Sequence, residues 1–381
     1  MIKHAADPKP DEQTIYPLHP QDAEPDFKDM YYSVELDSHT RNRNKRRDGI
    51  EKSLRDNSFK CRVRQWKFGG DDNAPKLRFF MISGIMHSCH FFAPLVKCMS
   101  LDEAFAGYQV EVYAFDEPGH GASGLPPNIK FGMLRMEDYV DVIRQIMDKL
   151  RTDEKVESFD YVGGHSMGGM LVMLLEESLA ADNTTLREKY GTKGIILFAA
   201  AMPEEVHWNL AEGDALGLPV RLLAMLVPCI TFSPLYLLHG NMSNEDFLKQ
   251  YFAVVEKDKI KHENVVPGAP AGDAVSVLNS PEAYVVLSEL GGLDFESGGV
   301  MQRPEIKEGL FSSYTLGISG YTKDVLFLPE EEEALCEYLS TNAEKRIYKT
   351  IDHDYAVHDD PYSFPCASFR LLADVVTLSN T

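Results

Sequence analysis

Gly164-His165-Ser166-Met167-Gly168-Gly169 is the stretch that decides the fold. It fits G-x-S-x-G, a serine with a glycine two residues to either side. The residues before it, Ser158-Phe159-Asp160-Tyr161-Val162-Gly163, read as a short strand. Those after it, Met170-Leu171-Val172-Met173-Leu174-Leu175-Glu176-Glu177-Ser178-Leu179, read as an apolar helix. A serine at such a turn is pushed into a strained conformation, with its hydroxyl standing above the sheet. The glycines are needed where strand and helix pass too closely for a Cβ. The helix aims its N-terminus at the serine, and its free N–H groups suit a developing oxyanion. A chance match in a glycine-containing turn is the competing reading, and a strand and a helix on the correct sides disfavour it.

Outward from this motif, short apolar strands alternate with helical segments. Residues 77–82, 108–115 and 194–199 read as buried strands, and 325–328 and 346–349 as later ones. Residues 136–150 carry helical spacing through Val140, Val142, Ile143, Ile146, Met147 and Leu150. Residues 31–36 and 61–68 alternate like half-buried strands. This pattern predicts an α/β fold, a mostly parallel central sheet with helices on both faces and the site at the carboxyl ends of its strands. Between 203 and 321 the alternation breaks down, which predicts an inserted helical cap. The expected division is 1–58 as an N-terminal arm and first strand, 59–202 as the first part of the core, 203–321 as the cap and 322–381 as the second part of the core. Residues 1 to about 30, rich in Pro, Asp, Glu and Gln, read as a loosely tethered arm. The basic run 41–47 reads as a solvated connection.

The chain has 381 residues, 44% hydrophobic, with a formal net charge of -21. Such acidity argues against nucleic acid and anionic membranes as partners. Residues 216–238 are largely apolar, yet Arg221, Pro219, Pro228 and Pro234 make a poor spanning helix. They read as buried or lid-like, so any membrane contact is expected only through the cap. The first eight residues hold no apolar run of the kind a secretory signal needs. Six cysteines (Cys61, Cys89, Cys98, Cys229, Cys336 and Cys366) show no paired spacing, which suits a reduced, cytoplasmic protein. His87, Cys89 and His90 crowd together without a second ligand cluster, so no metal is expected.

Four stretches together carry a resemblance. Ser83-Gly84-Ile85-Met86-His87-Ser88 follows the first buried strand, and Asp116-Glu117-Pro118-Gly119-His120-Gly121-Ala122-Ser123 fits D-x-P-G-H-G-x-S. The third is residues 164–169, and the fourth is His353-Asp354-Tyr355-Ala356-Val357-His358-Asp359-Asp360-Pro361. Over roughly residues 60–200 and 320–381 the chain resembles the α/β-hydrolase-fold serine hydrolases. It is most similar to their monoacylglycerol lipase and lysophospholipase-like branch. The resemblance makes Ser166 the nucleophile and the backbone N–H groups of Ile85 and Met167 the oxyanion donors. It departs at Ser83-Gly84, where the family has His-Gly, a histidine that braces the loop. The turn at 116–123 is expected to be structural, with His120 not catalytic.

The base must lie downstream of the serine, since the chain order in this fold is Ser, acid, His. Of the histidines there, His207, His239 and His262 fall in the expected cap. His353 directly follows a strand and is favoured, with His358 as the alternative. By the resemblance the acid follows strand 325–328, where the family has G-x-x-D and this chain has Pro329-Glu330-Glu331-Glu332-Glu333. Glu333 is favoured, with Glu332 next to it. Glu204 or Glu205, one strand earlier, is the alternative. A run of glutamates also simply suits a helix N-terminus, and with no acid in place Ser166 and His353 form a weakened dyad.

The resemblance implies a serine hydrolase acting on a small-molecule carboxylic ester through an acyl-enzyme, with no cofactor. The apolar 216–238 segment points to hydrophobic, lipid-like acyl groups. The same residues also serve acyltransferases, thioesterases and carbon–carbon hydrolases, and a non-catalytic binding member of the fold is the remaining alternative.

Overall fold

Phe79, Phe80, Met81 and Ile82 put large apolar side chains on both faces of one strand, so that strand must be covered on both sides. The computed structural model describes residues 3–4, 26–36, 58–71, 73–84, 88–120, 122–124, 136–200, 306–321, 329–341, 345–351 and 363–380. It places nine strands in one sheet: β1 (Lys3–His4), β2 (Phe27–Glu35), β3 (Ser58–Gly69), β4 (Lys76–Ile82), β5 (Gln109–Phe115), β6 (Tyr161–His165), β7 (Gly194–Phe198), β8 (Thr315–Tyr321) and β9 (Arg346–Ile351). Their spatial order is β1-β9-β8-β7-β6-β4-β5-β3-β2. From β1 to β5 across that order every pairing is parallel, and β3 runs antiparallel to both β5 and β2. This is the α/β-hydrolase fold.

Among the described residues six helices flank the sheet: α1 (Ala93–Leu101), α2 (Met136–Asp153), α3 (Met167–Ala181), α4 (Leu186–Tyr190), α5 (Pro329–Leu339) and α6 (Ser363–Ser379). Helix α2 forms because Tyr139, Val142, Ile143, Ile146, Met147 and Leu150 share one buried face, while Glu137 and Asp138 complement the dipole in its first turn. It packs on α3, and α6 packs on α1 and on β7, β8 and β9. The two glycines of β8 show both layers at once. A Cβ on Gly317 would press on Leu371 and Val375 of α6, and one on Gly320 would press on Pro329 and Glu332 of α5. Residues three apart in a strand face opposite sides, so α5 and α6 cover opposite faces.

From β4 the chain moves to β5 on one side, then crosses to β6 on the other. The carboxyl end of β4 is therefore the switch point, where open parallel sheets form a crevice.

The structure shifts some boundaries. β6 runs on to His165, directly against the serine, and α3 begins at Met167. Lys3–His4 and the first residues of β2 belong to the sheet, although the composition there reads as an arm. Ladder hydrogen bonds come from backbone, which a polar composition does not forbid. The sheet also resumes earlier than residue 322. β8 lies inside the stretch read as cap, because Thr-Leu-Gly-Ile-Ser-Gly-Tyr looks like a turn-rich segment until its glycines are seen making room for two helices. The expected strand at 325–328 and the apolar segment at 216–238 lie outside the described residues. Among the described residues no helix is long and apolar enough to cross a membrane.

Candidate active site

Ser166 sits alone between β6 and α3, with φ 52° and ψ -121°. A positive φ on a residue with a Cβ is strained and persists only where the surroundings force it. Here they do. The Ser166 N–H donates to the carbonyl of Phe198 on β7 at 3.0 Å, and its own carbonyl accepts from Gly169 N–H at 2.9 Å. A Cβ on Gly164 would overlap the backbone of Gly168, and one on Gly168 would overlap the carbonyl oxygens of Ile82 and Ser83. The two glycines of the motif are thus required by close approach of strand, helix and the end of β4.

Ser166 keeps 7% of its surface exposed in otherwise buried surroundings. Met167 opens α3, and the first N–H groups of a helix have no intrahelical acceptor. The site therefore offers backbone donors beside the hydroxyl, as anionic intermediates require. Gly84 closes the other side. A Cβ there would come within 3.1 Å of Ser166 Cβ and 2.9 Å of His165 Nδ1, so the chain leaving β4 brushes past the serine. His165 is itself buried and stacked on Phe91, with ring centroids 4.4 Å apart.

Ser83 is fully buried, and its hydroxyl donates to Glu117 Oε2 at 2.9 Å. Glu117 belongs to the turn after β5. Burial pushes its carboxyl well above the usual carboxylate range. That turn is held by its neighbour, Asp116. The Asp116 carboxylate accepts from Arg62 Nε at 2.7 Å and from the backbone N–H groups of Cys89 and Ala122 at 2.8 Å each. Ser123 Oγ donates to the Asp116 carbonyl at 2.7 Å and accepts from Arg62 N–H at 2.9 Å. His120 is fully buried, with Nδ1 3.1 Å from the Pro118 carbonyl. Burial lowers its pKa to about 4, so the ring is neutral at neutral pH. The motif D-x-P-G-H-G-x-S thus ties the end of β5 to β3 and to the 3₁₀ turn at Cys89–Phe92.

Glu332 and Glu333 lie at the start of α5, not in a loop. Glu332 is buried beside Gly320 of β8 and Glu333 is half-buried. Glu330, Glu331 and Glu332 occupy the first turn, where the helix dipole favours negative charge. The strand before them ends at Tyr321, and the sequence Gly320-Tyr321-Thr322-Lys323-Asp324 follows the family's G-x-x-D with one extra residue. With 315–321 recognised as a strand, Asp324 joins the glutamates as a candidate for the acid. His353 stands two residues beyond β9 in the sequence. Ile85, Glu204, Glu205, Asp324, His353 and His358 lie outside the described residues. The structure thus brings together Ser166, Met167 and Gly84, and places Glu332 and Glu333 on the helix that covers β8.

Several solved structures share this architecture. An esterase from Thermogutta terrifontis superposes with a TM-score of 0.52 at 16% identity, over 85% of this chain and 96% of its own. Homoserine O-acetyltransferase from Staphylococcus aureus gives 0.55 at 13% identity, over 91% and 94%. Juvenile hormone epoxide hydrolase from the silkworm Bombyx mori gives 0.51 at 10% identity, over 84% and 79%. At these identities the likeness shows the fold alone. A comparison with functionally curated proteins returns no significant match. The family model for serine aminopeptidase, S33, matches residues 73–267, which spans β4 to β7 and the serine motif. Over more than half its length, then, this chain belongs to the serine aminopeptidase S33 family of α/β hydrolases.

Proposed function

We propose that this hydrolase cleaves a small-molecule carboxylic ester with a hydrophobic acyl group, through a serine acyl-enzyme, as in the monoacylglycerol lipase and lysophospholipase-like branch it resembles. The observation that carries the reading is Ser166, held at φ 52° on the turn between β6 and α3 with Gly84 against it. A protein keeps such strain where function uses it.

Ser166 Oγ attacks the acyl carbonyl carbon, and His353 takes the hydroxyl proton. The negative charge gathers on the carbonyl oxygen, where the N–H groups of Met167 and Ile85 stabilise it. The alcohol leaves with the proton from His353. Water then repeats the sequence on the acyl-enzyme, giving a carboxylic acid and free Ser166. For the acid that orients His353 we favour Asp324, three residues past β8, over Glu333, Glu332, Glu204 and Glu205. Glu332 already has a role in the first turn of α5. The hydrophobic preference rests on residues 216–238.

Intact-protein mass spectrometry after exposure to a fluorophosphonate tests the assignment. One adduct is expected on the wild type and none on Ser166→Ala, and Ser166→Ala should lose turnover of a p-nitrophenyl ester by roughly 10⁴-fold or more. A wild-type protein that is folded and takes no adduct would remove the reading. Asp324→Asn against Glu333→Gln, compared by kcat, identifies the acid.

A further inference from the structure

Glu117 is a buried carboxyl that the reaction above does not use. It has no exposed surface, and nothing in the turn's own architecture needs it there, since Asp116 makes the bonds that hold the turn. Its strongest charged neighbour is Asp116, another carboxylate, which is itself engaged by Arg62. A charge in that setting is costly, and burial pushes the carboxyl well above the usual carboxylate range. Its Oε2 accepts from Ser83 Oγ at 2.9 Å, and the backbone N–H groups of Ser83 and of Glu117 itself also face the carboxyl.

Ser83 is the residue that departs from the family's histidine. It is followed by Gly84, whose backbone passes within contact of Ser166 and His165. The backbone at 83–84 is therefore pinned between Glu117 on one side and the serine on the other. Ile85, the expected oxyanion donor, comes next in the chain. An amide serves an oxyanion only if it is held within a few tenths of an ångström of its productive position.

We propose that Glu117 is a positioning residue: through its hydrogen bond to Ser83 it fixes the backbone at Ser83-Gly84 against Ser166, and so sets the oxyanion loop in the place of the brace that a histidine gives elsewhere in the family. This rests on the serine-hydrolase reading.

Fluorophosphonate labelling rates and p-nitrophenyl butyrate kinetics test it on Ser83→Ala, Glu117→Leu, Glu117→Gln and the double variant Ser83→Ala/Glu117→Leu, each shown to be folded by its thermal transition. Ser83→Ala and Glu117→Leu should lower both the labelling rate and kcat by 10- to 100-fold, with KM within about twofold, since the loss falls on the transition state. The double variant should lose no more than the worse single one, because the two side chains act as a unit. Glu117→Gln, whose amide oxygen still accepts from Ser83, should restore most of the rate lost in Glu117→Leu. A folded Ser83→Ala or Glu117→Leu with wild-type kcat would overturn the proposal, as would a Gln variant as slow as the Leu variant. Should Glu117→Leu not fold, Ser83→Ala decides alone. Wild type that takes no adduct would remove the serine-hydrolase reading first and this one with it.

Discussion

Two turns at the carboxyl end of the sheet flank β4, and they are held in opposite ways. The turn after β6 is held by backbone. Gly164 and Gly168 let strand, helix and the end of β4 approach until no Cβ fits, and Ser166 is left at a positive φ. The turn after β5 is held by side chains. Asp116 gathers Arg62, Cys89 and Ala122, and His120 and Glu117 are buried around it. Steric locking places one atom accurately and stores strain there. A polar network ties several segments together and leaves them sensitive to charge and pH.

Four substitutions sharpen or break this contrast. Gly168→Ala should have the largest effect. Its methyl meets the backbone carbonyl oxygens of Ile82, the last residue of β4, and of Ser83 after it, so a loss on the order of 4 kcal/mol, or no folded protein, is expected by urea unfolding. A stable Gly168→Ala would mean that the elbow is not locked by sterics. Arg62→Met breaks the ion pair and leaves the Asp116 charge buried. The expected cost is about 3 to 4 kcal/mol, measured the same way, and a cost below about 1 kcal/mol would show the network to be dispensable.

The third effect depends on pH. Folded, His120 stays neutral down to about pH 4, whereas in the unfolded chain it takes up a proton near 6.5. Between those values the unfolded state binds more protons, so stability falls as pH drops from 6.5 towards 4, and the contribution is fully present above 6.5. The size is on the order of 3 kcal/mol. His120→Asn should flatten that part of a stability-against-pH curve, and an unchanged slope would assign the acid limb to other groups. The smallest effect concerns the strain itself. Ser166→Gly should raise stability by about 1 kcal/mol while abolishing turnover, because glycine adopts this φ without cost. A loss of stability would mean that the serine is not strained.

The same contrast decides what could be read from the chain. The elbow was legible because its pattern is local. Gly164 to Gly168 are five consecutive residues where an apolar strand meets an apolar helix, although part of the steric lock comes from the end of β4. Strands β4 and β7 were legible for a related reason, since burial on both faces writes itself as an apolar run, Phe79 to Ile82 and Ile195 to Phe198. β8 was not. It is equally buried, but at Gly317 and Gly320 its contribution is the absence of a side chain, which a sequence shows as a turn signal. Without that strand the residues offer only the glutamates of α5 beside Glu204 and Glu205 for the acid; with it, Asp324 becomes a further candidate.

The serine motif and the alternation that makes a parallel sheet are patterns of near neighbours, so the residues alone show them, whereas the lock on the serine turn also needs the carbonyls of Ile82, Ser83 and Phe198. Only the tertiary structure decided that Ser83 meets Glu117, that Arg62 meets Asp116 and that Gly84 meets Ser166. These residues lie far apart in sequence. What joins them is the strand order, which sets β4 between β5 and β6 and brings the turns that follow them to one edge of the sheet.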